Sequence, residues 1–202
     1  KVVFVACRHP CICGRSNAIF PHHHRKRFVN CGPNARSSAG MRNKSDMRME
    51  ITIQAERPDS SDALALIGEL EAELEPLYPP ESQHGYSVEQ LIAAGVAFFV
   101  VRVNGEAAGC GGIQFYPDYG ELKRMYVRPA FRGMGLASRL IDHLISFAAE
   151  HQCRLLRLET GILQDAAIRC YEKAGFYRIG PFDPYTDDPL SLFYERPIGA
   201  QA

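Results

Sequence analysis

Glu121-Leu122-Lys123-Arg124-Met125-Tyr126-Val127-Arg128-Pro129-Ala130-Phe131-Arg132-Gly133-Met134-Gly135-Leu136-Ala137 is the stretch around which the rest of the chain is read. Residues 121–127 carry the β-branched, aromatic and long side chains of a strand. Pro129 forbids its continuation, and Gly133 and Gly135 supply a tight turn into an apolar-periodic run. The predicted order is strand, glycine-rich turn, helix. Such an order presents backbone N–H groups at a helix N-terminus, where the first donors lack intrahelical partners and the peptide dipoles favour a negative ligand. The expected ligand there is a phosphate.

The form of the turn narrows the ligand. A dinucleotide fingerprint needs a third glycine, and Ser138 stands where it would fall; a nucleotide P-loop needs Gly-Lys-Ser/Thr, which does not follow. Arg132, Gly135 and Ala137 instead match Gln/Arg-x-x-Gly-x-Gly/Ala, and Val127-Arg128-Pro129-Ala130-Phe131 matches a Val-x-Pro-x-aromatic lead-in. Both resemble the acyl-CoA-binding motif of the GNAT superfamily of N-acetyltransferases. A second match begins at Gln164 and runs through Ala167, Tyr171, Gly175 and Phe176. It is similar to that family's Asn-x-x-Ala-x-x-x-Tyr-x-x-x-Gly-Phe signature, with Gln164 departing from the usual Asn. Ala167, Tyr171 and Ala174 share one helical stripe, so small residues flank the phenol.

Further from the motif, the 202-residue chain is 46% hydrophobic and 10% aromatic, enough to bury one good core with a small appendage. Its zero net charge hides two materials: residues 1–48 carry +9 and residues 49–202 carry −9. The first segment holds Cys7, Cys11, Cys13 and Cys31, His22 to His24 and the basic run Arg25-Lys26-Arg27, without sustained periodicity. It is expected to be a disordered or loosely attached extension. A zinc site, a basic nucleic-acid arm and a targeting peptide are each less well matched by its spacings. Met41, Met47 and Met49 precede the first credible strand, which suits a working start near Met47 or Met49.

From Met49 onward the pattern predicts strands at 50–55, 97–103, 107–115, 121–127, 153–159, 176–180 and 191–196. Helices are predicted after Ser60, with Leu64, Ile67, Leu70, Leu74 and Leu77 on one face, after Ser87 with a capping box to Gln90, from Leu136, and over 164–174. Asn104-Gly105 signals a hairpin. The result is an α/β fold, a mixed sheet of about seven strands flanked by four helices, in the order β-α-α-β-β-β-α-β-α-β-β. That order matches the layout of the GNAT fold along the whole of residues 49–202.

The resemblance implies direct transfer of an acetyl group from acetyl-CoA to a primary amine through a ternary complex. The cradle is the N–H row of Arg132, Gly133, Met134, Gly135, Leu136 and Ala137, with Arg124, Arg128, Arg132 and Arg139 as local positive charge. Met125, Tyr126 and Val127 would pair with pantetheine through their backbone, and Gln164 and Ala167 would lie along it. Tyr171 is the carried-over acid for the departing thiolate. Glu121 is the favoured proton acceptor, with Glu159 a substrate-binding group or second base; a structural salt bridge among Glu121, Lys123, Arg124 and Glu159 competes with that assignment. Strict alternation sends Glu121, Lys123, Met125 and Val127 to one face of their strand.

Cys110, Cys153 and Cys170 read as small buried hydrophobes. No metal is expected in residues 49–202, nor a membrane span or a nucleic-acid partner, and the pattern suits a cytoplasmic domain. The −9 balance favours a cationic small-molecule amine. His84, Tyr86, Arg124, Glu159 and the loop 181–189 are the candidate selectivity residues. A protein or peptide amine and a non-catalytic acyl-CoA-binding module stay open, as does a homodimer through the last strands.

Overall fold

A computed structural model describes residues 49–82 and 85–199. The basic extension and His84 therefore lie outside the described residues. The strands are β1 (Ile51–Glu56), β2 (Ala97–Val103), β3 (Glu106–Phe115), β4 (Gly120–Val127), β5 (Leu155–Gly161), β6 (Tyr177–Ile179) and β7 (Ser191–Pro197). The helices are α1 (Ser61–Leu74), α2 (Val88–Ala93), α3 (Leu136–Glu150) and α4 (Asp165–Lys173), and their order along the chain is the predicted one. One sheet runs β1-β2-β3-β4-β5-β7-β6, antiparallel throughout except for the β4–β5 pair. Among the described residues no helix is long and apolar enough to cross a membrane.

Local chemistry sets most boundaries. The side chain of Ser60 accepts from the Ala63 N–H at the start of α1, and Ser87 and Gln90 form the expected reciprocal capping box at α2. Asn104 and Gly105 take positive φ in the β2–β3 hairpin. β5 starts two residues later than predicted, because Gln152 adopts φ 59° and the Cys153 N–H closes the end of α3 on the Ala148 carbonyl.

The sheet is covered on both sides. Ala63, Leu66, Ile67 and Leu70 of α1, with Leu91 of α2, pack on Phe98, Val100, Cys110 and Tyr126. On the opposite face Leu136, Leu140, Ile141, Leu144 and Ala148 of α3 pack on Val101, Ile113, Leu122, Leu156 and Leu158. The buried stripe of α1 is therefore rotated from the predicted one. Leu64 and Leu77 are 47% and 42% exposed, since the sheet lies under the small and branched positions 63, 66, 67 and 70.

β4 departs from simple alternation. Gly112 pairs with Lys123 and Cys110 with Tyr126, so Arg124 and Met125 together oppose Gly111 alone. This bulge, with Arg124 at φ 55°, exchanges the faces of the strand halfway along. Glu121 and Lys123 lie on the α1 side, whereas Met125 and Val127 join the α3-side core. The expectation that these four residues share a face is thus corrected. The glycines of β3 accommodate the distortion: a side chain at Gly111 would collide with the Met125 sulfur, and one at Gly109 would come within 2.5 Å of the Tyr126 carbonyl.

Candidate active site

β4 and β5 pair only at Gly120–Leu156 and Glu121–Arg157 and then part. Beyond that point the β5-facing edge of β4 has no strand beside it, and a cleft opens between the two. Two chambers meet along it: one of about 610 Å³ toward the turn that starts α3, and one of about 690 Å³ toward α1 and the loop carrying Tyr185. Met125, Gln164 and Tyr171 border both chambers.

The first chamber is built by the turn after β4. Gly133 and Gly135 adopt φ 80° and 75°, a region that L side chains rarely enter, and Gly135 is the N-cap of α3. The Arg132 N–H donates to the Pro129 carbonyl at 3.2 Å, so it does not belong to the cradle as expected. The N–H groups of 133–138 have no acceptor among the described residues, and this open row from Gly133 to Ser138 suits an anion. Met125, Tyr126, Val127, Arg132, Gly133, Gly135, Leu136 and Ala137 line this chamber from one wall, Gln164 and Ala167 from the other. The Met134 side chain instead packs against the α3-side core.

Positive charge is distributed differently from the expectation. Arg124, Arg128 and Arg132 pair with Glu71, Glu69 and Glu73 of α1, at 3.0, 2.7 and 2.6 Å. Arg124 and Arg128 thereby clamp α1 to β4 and do not reach the cradle. The α1 carboxylates are 39–54% exposed, so each pair contributes at most about 1 kcal/mol. Arg132 also donates from Nε to the Val127 carbonyl at 2.9 Å. Arg132 and Arg169, the latter not foreseen, are the arginines that border the first chamber.

The second chamber contains four carboxylates (Glu71, Glu75, Glu121, Glu159) against two cations (Lys123, Arg124), with Tyr78, Tyr86, Tyr171 and Tyr185 around them. Glu121 is 1% and Lys123 7% exposed, and they form an ion pair at 2.6 Å. The Tyr185 hydroxyl donates to the same Glu121 oxygen at 2.5 Å and accepts from Lys123 Nζ at 3.0 Å. Glu121 Oε2 is buried with no hydrogen-bond partner among the described residues. Of the four-residue salt bridge weighed from sequence, only the Glu121–Lys123 half forms: Arg124 turns to Glu71 and to the Tyr86 carbonyl, and Glu159 accepts from the Ser191 hydroxyl at 2.7 Å. Burial holds the Arg124 guanidinium below its ordinary value.

Tyr171 projects from α4 at the junction, 6% exposed, its ring edge-on to Phe176 at 6.0 Å. Burial raises its pKa well above the usual phenol value, with the charges of Cys170 and Glu159 adding to the effect, so the phenol keeps its proton. Tyr185 is shifted the same way, by burial first and then by Glu121. Phe182, from the same loop, does not line the second chamber; it is buried against Tyr119, Tyr185 and Phe193. Tyr78, beyond the end of α1, was missed from sequence. It accepts from the Leu163 N–H at 2.9 Å and lies where a Gly161 side chain would be, holding the turn that positions Gln164. An aromatic closing an apolar helical run just before Pro79-Pro80 was the only signal for it.

Comparison with known proteins agrees with this fold. Residues 66–176 match the profile of the Acetyltransferase (GNAT) family. An IAA acetyltransferase of Azospirillum brasilense is 41% identical over 150 residues, spanning 73% of this chain and 98% of that protein. A putative acyl-CoA N-acyltransferase from Klebsiella pneumoniae superposes with TM-score 0.63 at 37% identity, covering 74% of this chain and 98% of the other. A GNAT acetyltransferase from Elizabethkingia anophelis, solved with acetyl-CoA bound, shares the fold at TM-score 0.55 and 18% identity, over 73% and 97% of the two chains. Acetyl-CoA is the co-substrate of this family, and a cradle of open N–H groups beside a parted pair of strands suits it. From sequence, fold and relatives together, the chain belongs to the GNAT family of acetyltransferases.

Proposed function

We propose that the protein transfers the acetyl group of acetyl-CoA directly to a primary amine of a small molecule or amino compound. The observation that carries this reading is the meeting of two chambers at Met125, Gln164 and Tyr171, one with an anion cradle and the other rich in carboxylates. A direct transfer needs such a junction, because thioester and amine must approach without an enzyme-bound carrier. The 41% identity to an IAA acetyltransferase supports a small-molecule acceptor.

When bound, acetyl-CoA supplies the thioester. The residues of the chain do the rest. The N–H groups of 133–138 hold the pyrophosphate, and the unpaired edge of β4 from Met125 to Val127 aligns pantetheine. Glu121, through its unpartnered oxygen, accepts a proton from the entering ammonium, with Glu159 the second candidate and a binding group for that ammonium. The C–N bond forms as the C–S bond breaks, and the protonated Tyr171 hydroxyl delivers its proton to the sulfur. The nitrogen's remaining surplus proton restores the phenol, so the turnover converts an ammonium and a thioester into an amide, a thiol and one proton released to water.

The test is CoA release over a panel of amines with wild type and Tyr171→Phe. Wild type should release CoA with at least one amine, and the variant should lose about 10²-fold in kcat, the usual size of one general-acid contribution, with KM for acetyl-CoA within about twofold. CoA release at equal rates by both proteins would remove Tyr171 from the chemistry, and acetyl-CoA binding without release for any amine would favour a binding module.

A further inference from the structure

Two buried side-chain atoms without a hydrogen-bond partner among the described residues belong to side chains on the wall of the second chamber, and those side chains carry opposite charge. One is Glu121 Oε2 and the other is Arg124 Nε. Native proteins seldom leave such groups unmatched, so each calls for an occupant. The Arg124 side chain is 7% exposed, and both of its hydrogen bonds, to Glu71 Oε1 at 3.0 Å and to the Tyr86 carbonyl, are made by Nη2. The guanidinium fork is therefore engaged at one nitrogen.

The backbone is bent so that both groups serve one chamber. In a regular strand residues 121 and 124 point to opposite faces, and the bulge at Arg124, with its φ of 55°, turns this side chain to the α1 side that Glu121 also faces. A left-handed conformation at a residue other than glycine is costly and marks a place where function can outweigh local preference. We propose that the acceptor is an amino acid: Glu121 meets its ammonium, and Arg124 binds its carboxylate, which takes over the guanidinium from Glu71. Glu71 is a displaceable partner, since its side chain is 54% exposed and its pairing with Arg124 is worth little. Arginine's planar fork matches a carboxylate with two parallel bonds, and a buried fork is less screened than one on the surface. A plain amine would answer Glu121 alone, whereas an amino acid answers both unmatched groups at once. This names the substrate class of the acceptor chamber, and so it rests on the acetyl-transfer reading above.

The test offers leucine and phenylalanine, their carboxamides, and the amines that lack the carboxyl group (3-methylbutylamine and 2-phenylethylamine) to wild type, Arg124→Gln, Arg124→Lys and Glu71→Gln, and follows CoA release. Wild type should favour at least one amino acid over its carboxamide and its amine by about tenfold or more in kcat/KM, the scale of one charge-assisted pair. Arg124→Gln should narrow that ratio by a similar factor, and Arg124→Lys should restore part of it, because the charge survives and the fork does not. An Arg124 that only clamps α1 to β4 would slow all the acceptors alike, and an unchanged ratio in Arg124→Gln counts against the proposal. Glu71→Gln should lower KM for the amino acid relative to its amine, since the competing carboxylate is gone; an unchanged KM ratio there counts against it too. Equal use of the amino acids and their carboxamides by wild type overturns the proposal whether or not a variant folds.

A binding arm separates this proposal from the reaction. Calorimetry on wild type saturated with CoA should show at least one of the amino acids binding about tenfold or more tightly than its amine, a result independent of turnover. If no acceptor is acetylated by any of the proteins, the acetyl-transfer reading fails while this arm still decides whether the chamber takes a carboxylate. Equal binding of amino acid and amine, or no binding of either amino acid, counts against it.

Discussion

Single side chains in this protein take their chemistry from burial. Tyr171 keeps its proton across the neutral range because its ionised form has almost no water around it. Its ionisation should add no alkaline limb to the pH–rate profile at or below the ordinary phenol pKa of about 10. Cys110 shows the same force on a thiol, which burial pushes up from 9.0 to about 12. At pH 8, a thiol reagent applied to a fragment spanning residues 49–202 should modify Cys153 and Cys170, both half-buried, well before Cys110, as read by peptide mass spectrometry. The sign of the linked stability follows: an unfolded chain ionises this thiol near 9.0 and the folded one near 12, so the contribution is whole below pH 9 and is lost as the pH rises through that window. The sequence put forward Tyr171 by motif and Glu121 by strand position, and both line the second chamber. It also weighed a salt bridge that paired Glu121 with Lys123, but it did not show that Tyr185 would join them, because Tyr185 stands 64 residues from Glu121 and only the folded β6–β7 connection brings them together.

At the scale of elements, the cradle depends on two glycine conformations. Gly135→Ala should cost about 1 kcal/mol of stability, because alanine is strained at φ 75°, yet nothing in the protein lies within 4 Å of the added methyl. The methyl would stand in open space at the N-cap that heads the open N–H row. Acetyl-CoA affinity, measured by calorimetry, should therefore fall by about tenfold, more than a strain of that size spread evenly over free and bound forms would produce. The order of elements and the hairpin at Asn104-Gly105 were legible in the sequence, since both rest on local periodicity and turn chemistry. The bulge in β4 was not. It is stabilised by partners remote in sequence, with Arg124 held by Glu71 and the Tyr86 carbonyl and Met125 filling the space that Gly111 leaves. The Gly-Cys-Gly-Gly run of β3 was the visible trace of it, and its meaning depends on knowing which strand lies alongside.

Across the whole molecule, two apolar layers lie on opposite faces of one sheet, while the reaction chambers open where two strands part. Leu144, wholly buried beneath the middle of α3, lines neither chamber. Leu144→Ala should lower unfolding free energy by about 2–5 kcal/mol in denaturant titrations and leave KM for acetyl-CoA within about twofold, provided the protein stays folded at the assay temperature. A larger KM change would mean that the core and the cradle are less separable than their positions suggest.

The extra residue in β4 gives one strand two clients. Upstream of Arg124 its inward side chains line the carboxylate-rich chamber, and downstream they line the chamber beside the open N–H groups, so a single segment of backbone sets the spacing between the two. Removing one residue there would restore strict alternation and turn one of the two sets of side chains away from its chamber. The reading frame of this strand, more than the identity of any one residue in it, is what the enzyme cannot change piecemeal.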